Sequence, residues 1–318
     1  MRHSKILIAS MLLFIFVFAG ILINISPREL KSESKPKVFG ATYMTMNNPY
    51  FVVLNNSIKE VVEGNGDILI SRDPSQDQLK QNQQILDMIE EGVDAIFLNP
   101  VDWKTVKPAL VACYEANIPV FNIDTYVYDD EYVVSTIISD NYNAGVQCAE
   151  DVLKKKAKSN IIVLNHPEMN SIIDRVRGFT DVIKGHEDHN IIYIESAGAE
   201  LEVAMNVMND IIEFNWEFDV IFGGNDPSAL GALAALQLNN YSKDVLIYGV
   251  DGSPDGKTMI KENHIEGSSA QRPIVIGRTA AETAYQYFAG ASVDRSIIIP
   301  VSLITKENIN EFDIAGWQ

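Results

Sequence analysis

Met46-Asn47-Asn48-Pro49-Tyr50-Phe51 is the stretch from which the rest of the chain can be read. The apolar run Val38-Phe39-Gly40-Ala41-Thr42-Tyr43 before it reads as a first β-strand. The periodic apolar stretch Tyr50 to Val62 after it reads as a helix. The hexapeptide is therefore a strand-to-helix turn. Asn48 can cap the helix, and Pro49 suits the first helical position, where a missing N–H does no harm. Tyr50 and Phe51 then stand at the carboxyl end of a strand, where open α/β sheets bind ligands. Taken alone, the simpler account of this pair is that both are core residues of the helix, because aromatics are large hydrophobes first.

Working outward, strand and helix patterns alternate almost to the end of the chain. Strands are expected at Ile68–Ile70, Ala95–Leu98, Val120–Ile123 and Val133–Ile138, with helices at Gln76–Glu91, Trp103–Ala116 and Asn141–Lys156. The alternation restarts with a strand at Ile161–Leu164 and runs on through helices such as Ser171–Lys184, Pro227–Leu238 and Val275–Ala289. Ile297–Ile299 is expected to be the last core strand. Repeated β-α units imply parallel sheets covered by helices. More than five units with a restart near Asp140 imply an α/β protein of two doubly wound lobes. Neither GxGxxG after the first strand nor GxxxxGK[ST] is present, which argues against a nucleotide enzyme.

The chain of 318 residues is 47% hydrophobic, ample for two packed cores. Its net charge of -18 repels phosphate backbones, so nucleic acid is not an expected partner. Cys113 and Cys148 lie in helical patterns and read as buried free thiols. The five histidines show no HExxH or similar clustering. No metal or cofactor is expected. Asp73 to Gln81 lacks the central glycine and late glutamate of a calcium loop.

Ile6 to Ile25 is a run of 20 residues without charge, preceded by Arg2, His3 and Lys5. At helical rise it could span a hydrocarbon core of roughly 30 Å. It serves either as a cleaved secretory signal or as an uncleaved anchor. Its continuation through Ile21-Leu22-Ile23, past the weak cleavage point at Val17-Phe18-Ala19, favours a transmembrane anchor. No cysteine follows it, which excludes a lipid anchor. Arg28, Lys31, Lys35 and Lys37 after the run speak for a cytoplasmic globular part, whereas an export-like start speaks for an outer one. The expectation is a single-pass membrane protein with its globular part extracytoplasmic, joined by a tether.

Polar residues end many of the strands. Asp124 follows Phe121-Asn122-Ile123, Asn225 and Asp226 follow Val220 to Gly224, Asp251 follows Tyr248-Gly249-Val250, and Gln271 follows Gly267 to Ala270. Arg175 lies in the helix after Ile161–Leu164. One such residue is commonly just a helix cap. Six such positions, with Asn225-Asp226 counted as one and Asn48 as the sixth, converge on one cleft in a two-lobed protein. Carboxylates and amides can each hold two adjacent hydroxyls, and Arg175 can donate to two oxygens at once. Tyr50 and Phe51 can cover the C–H faces of a sugar ring. An anionic ligand fits poorly, with two acids against one base.

At this point the residues resemble a known family. Asn47-Asn48-Pro49-Tyr50-Phe51, Asn122-Ile123-Asp124, Arg175-Val176-Arg177-Gly178-Phe179, Asn225-Asp226, Gly249-Val250-Asp251-Gly252-Ser253-Pro254-Asp255 and Ala270-Gln271 resemble the periplasmic sugar-binding proteins of the ribose/xylose/galactose type, from Val38 to about Val301. The resemblance implies two lobes joined by a three-crossing hinge, with a monosaccharide between them. It divides the chain into an anchor (1–25), a tether (26–37), a first lobe (38–139 with 272–300) and a second lobe (140–271 with 301–318). Asn48, Tyr50, Phe51 and Asp124 would line the first wall, Arg175, Asn225 and Asp251 the second, with Gln271 near a hinge. Ribose binders carry Arg directly after the aspartate, where this chain has Thr125, and a second-wall aromatic that aligns with Ala199. The sugar therefore need not be ribose: xylose or another pentose is expected first, with a hexose as the alternative. The related sugar-responsive repressors carry a DNA-binding headpiece that is absent here.

The expected function is that of a non-catalytic receptor that closes around its sugar and reports it to a membrane sensor histidine kinase. The alternative is the solute-binding component of an ABC sugar importer. A sugar-acting enzyme would need Asp124 and Asp251 as an acid pair across a scissile bond. Arg175 and the amides surround them with binding groups instead.

Overall fold

Strand β1 (Val38–Thr42) is buried along almost its whole length, so both of its faces must be covered. The computed structural model that shows this describes residues 35–318. The expected membrane segment, residues 6–25, and most of the tether lie outside the described residues. Among the described residues no helix is long and apolar enough to cross a membrane.

The chain builds two six-stranded sheets. After β1 come α1 (Pro49–Gly64), β2 (Ile68–Arg72), α2 (Gln78–Glu90), β3 (Ala95–Leu98), α3 (Lys107–Glu115), β4 (Val120–Ile123) and β5 (Ser135–Ser139). The second series is α4 (Asn141–Lys155), β6 (Ser159–Asn165), α5 (Asn170–Ile183), β7 (His189–Ser196), α6 (Leu201–Glu213), β8 (Val220–Gly223), α7 (Asp226–Leu238), β9 (Leu246–Asp251), α8 (Pro254–Lys261) and β10 (Gly267–Ala270). Then α9 (Pro273–Phe288), β11 (Ser296–Ile299) and β12 (Ser302–Thr305) follow. The first sheet runs β11-β5-β4-β3-β1-β2 and the second β12-β10-β9-β8-β6-β7, the same winding twice. The chain passes between the sheets after β5, after β10 and after β11, which makes three crossings.

The expected α/β character holds, with three corrections. The second sheet is not wholly parallel: β12 pairs antiparallel with β10. It lies beyond the expected last strand, at Ser302–Thr305, where polar residues at both ends leave only Leu303-Ile304 as an apolar run. The helix expected from Trp103 begins only at Lys107. The carboxylate of Asp102 takes the Lys104 N–H and the Thr105 hydroxyl, which holds residues 102–105 in a turn. The strand expected from Val133 begins at Ser135, after a 3-10 turn at Asp130–Tyr132.

Two contacts fix the second sheet's helices where the cleft needs them. Phe179 of α5 stacks on Phe222 of β8 at 4.3 Å and 6° between ring planes. Helices α4 and α5 meet backbone to backbone. A Cβ added to Gly145 would stand 1.8 Å from the Arg175 carbonyl oxygen, and one added to Gly178 would stand 2.0 Å from that of Tyr142. No side chain fits at either point, and the neighbour that would have to move is the backbone of Arg175 itself. Gly145→Ala should therefore force the two helices apart and destabilise the fold by about 1–3 kcal/mol or more. Thermal unfolding checks this, with an expected fall of about 2–4 °C per kcal/mol. An unchanged midpoint would show that the helices yield freely.

Candidate functional site

The turn at Asn48 forms as its sequence dictates. Asn48 Oδ1 accepts the Tyr50 N–H at 2.9 Å and Pro49 opens α1. The capping turn lies at the carboxyl end of β1, beside the point where strand order reverses between β1 and β3. The equivalent reversal in the second sheet lies between β6 and β8. The loops from both points face one cavity of about 480 Å³, within the roughly 300–1,000 Å³ usual for small-ligand sites.

All eight residues singled out from the sequence line this cavity: Asn48, Tyr50, Phe51, Asp124, Arg175, Asn225, Asp251 and Gln271. Their surroundings separate them. Tyr50 and Phe51 are buried and meet edge-to-face at 5.3 Å, so they serve the core and the cavity wall together. Asp124 Oδ2 accepts the Asn99 Nδ2 amide at 3.0 Å. Arg175 Nε donates to Asn141 Oδ1 at 2.8 Å, and Nη1 donates to the Gly224 carbonyl at 2.9 Å while lying 3.7 Å from Asp251 Oδ1. Gln271 joins the two walls: its Nε2 donates to Asp251 Oδ1 at 2.7 Å, and its Oε1 accepts from the Tyr50 hydroxyl at 3.3 Å. Asn225 is chiefly a positioning residue. Its Oδ1 caps α7 through Ser228 N and its Nδ2 holds the Ala199 carbonyl, so both ends of the amide are engaged inside the protein.

The cavity concentrates unusual backbone. Asp124 has φ 68°, Asp251 143°, Ala199 59° and Gln76 63°, all on the side of the map that glycine prefers. Such conformations cost about 1–3 kcal/mol each and persist where the surrounding structure holds them, most often at binding sites. The charges are strained as well. Burial pushes the Asp124 carboxyl up, and Arg175, Tyr50 and Asn99 pull it part of the way back. Burial and then the neighbouring Asp226 carboxylate push Asp251 up to about 8, against Arg175, Gln271 and the Asp226 N–H. The Tyr50 phenol is raised well above its ordinary range, mainly by burial and then by Asp124.

Other lining residues were not anticipated. Gln76 donates through Nε2 to Glu200 Oε1, a link from the first sheet's loops to the second's. Ser171 N donates to Thr125 Oγ1 at 2.9 Å, a second such link. Glu200, Glu202 and Asp255 line the cavity as well, and Met169, Ile172, Pro227 and Leu230 supply an apolar wall where Ala199 offers no ring. The strand-end rule could have found Gln76, which follows β2. Behind Tyr50, Trp317 packs edge-on at 5.7 Å. It is held there by the buried Lys257, whose ammonium donates to the Gly316 carbonyl at 2.6 Å. Nothing local in the sequence marks that contact.

A family model described as the periplasmic binding protein domain matches residues 39–292. The ribose import binding protein of Bacillus subtilis (strain 168) is 28% identical over 277 residues, 86% of this chain and 89% of that protein. That of Escherichia coli (strain K12) is 30% identical over 269 residues, 83% and 88% of the two chains. An ABC transporter solute binding protein from Bacillus halodurans, solved with bound myo-inositol, superposes with a TM-score of 0.82 at 25% identity. That match covers 88% of this chain and 98% of the other.

The raised Asp251 carboxyl has a consequence for stability. In an unfolded chain this group releases its proton near 3.9, and in the fold only near 8. The folded state thus holds a proton that the unfolded chain has lost. The contribution is complete below about pH 4 and disappears as pH rises through about 8. Asp251→Asn should flatten the fall in unfolding temperature between about pH 5 and about pH 8.5 and melt higher than the parent protein at the upper end. Equal slopes in the two proteins would show that Asp251 carries no such strain.

Proposed function

The chain belongs to the periplasmic binding protein domain family, and from that premise we propose that it binds a monosaccharide or cyclic polyol outside the cytoplasm and hands it to an ABC importer. It is a binding protein, not an enzyme, as the family consists of binding domains. The observation that carries the ligand class is the cavity itself. Planar carboxylate, amide and guanidinium groups reach it from both sheets, set among aromatic and aliphatic walls. Such groups satisfy a ring of hydroxyls, and the apolar walls suit the C–H faces between them.

The lobes are taken as residues 38–139 with 272–300 and 140–271 with 301–318, a division that sheet membership supports. A ligand touching both walls favours the closed arrangement, because only there are both sets of hydrogen bonds available. The links from Gln76 to Glu200 and from Ser171 to Thr125 support closure without requiring it to be permanent. The importer reading displaces the sensor-kinase one. That reading leaned on an anchor formed by residues 6–25, which lie outside the described residues, whereas the curated relatives are import binding proteins. A xylose-like pentose is the first ligand to test, with ribose and myo-inositol beside it because relatives bind or import them.

A thermal-shift and calorimetric screen of pentoses, hexoses and inositols checks the reading. A ligand at about 100 times its Kd stabilises by about 2.7 kcal/mol, a rise of several degrees. Arg175→Ala and Asp251→Ala should each remove that rise. A shift that survives both substitutions would place the ligand elsewhere, and chemical conversion of any sugar would overturn the binding role.

A further inference from the structure

Resting on the binding of a hydroxylated ring in this cavity, we infer that the ligand carries a cationic amino group, which sits against Asp124 and the acidic side of the cavity. The inference comes from the balance of charge. Asp124, Glu200, Glu202 and Asp255 line the cavity beside Asp251, which keeps its proton up to about pH 8, and among the described lining residues Arg175 is the single base. Arg175 stands 3.7 Å from Asp251 and gives its Nε and Nη1 hydrogen bonds to Asn141 and Gly224.

The three outer acids are partly accounted for. Glu202 and Asp255 lie in the first turns of α6 and α8, where the helix dipole favours a negative charge. Glu200 accepts from Gln76. Asp124 is different. It is 2% exposed, and the side chain that donates to it is the neutral Asn99 amide, the Tyr50 proton being given to Gln271. The next residue, Thr125, is neutral too, and its hydroxyl already accepts from Ser171 N. Among the described residues no base pairs with Asp124 directly: Arg175 pulls on it through space, but its Nε and Nη1 are engaged by Asn141 and Gly224. A buried carboxylate without a cation is costly, and the group lines an accessible cavity, so the missing partner can arrive with the ligand. A metal ion does not fit: among the described residues no group of three or more side chains could hold one. An ammonium does fit, since it donates three hydrogen bonds to acceptors such as Asp124 while hydroxyls elsewhere on the ring meet Arg175 and Gln271.

The test compares matched sugars by calorimetry on the intact chain: glucose, galactose and mannose, their 2-amino derivatives, and the N-acetylated forms. The N-acetyl group keeps bulk at the same position but removes the charge. The expected result is at least one amino sugar bound about tenfold or more tighter than both its parent and its N-acetyl form, with the preference lost in Asp124→Asn. Glu200→Gln should weaken the same preference by a smaller factor and provides a second variant should Asp124→Asn fail to fold. If a neutral parent binds as tightly as its amine, or more tightly, the inference is overturned while sugar binding stands. If no neutral or amino sugar binds, the sugar-binding reading fails and this inference fails with it.

Discussion

One buried guanidinium ties the second half of this molecule to its cleft. Arg175 is 3% exposed, and its Nε and Nη1 are held by Asn141 at the start of α4 and by the carbonyl of Gly224 at the end of β8. A charged group can be kept dry only where geometry satisfies it from several sides. That geometry depends on α4 and α5 touching at Gly145 and Gly178, and on Phe179 stacking onto Phe222. Helix packing, sheet register and the charge of the cavity are thus one constraint seen at three scales.

Around Arg175 the site is built from groups that would not choose these positions on their own. Asp124 and Asp251 stand at positive φ, and burial raises both of their carboxyls. Asp251 also lies beside Asp226, whose own carboxylate is satisfied by Ser253 and Ser268. Strain and charge of this kind lower the stability of the free protein. Gln271 carries the coupling between walls. It sits where the chain leaves the second sheet for the first, and it touches Tyr50 on one side and Asp251 on the other.

Much of this was legible in the sequence because it is local or periodic. The cap at Asn48 needs only the residues around it, and the β-α alternation needs only hydrophobic period, so the double winding and the strand-end polar residues follow from the chain read in order. The errors occur where local signals compete or run short. Asp102 turns the chain where apolar residues had suggested helix, and β12 offers only Leu303-Ile304 as an apolar run between polar ends. The acids at Glu200, Glu202 and Asp255 had no reason to stand out, since exposed carboxylates are the commonest surface residues of a chain with net charge -18.

The sequence by itself determined two doubly wound units and the residues at their strand ends, because period and capping are properties of neighbours along the chain. Only the tertiary structure decided what those ends face. It set Asn225 to holding the Ala199 carbonyl, brought Trp317 behind Tyr50 with the help of buried Lys257, and set Asp124 against the Asn99 amide. Those outcomes depend on distances between segments remote in sequence. They also depend on burial, which turns an ordinary carboxylate into one that needs a partner.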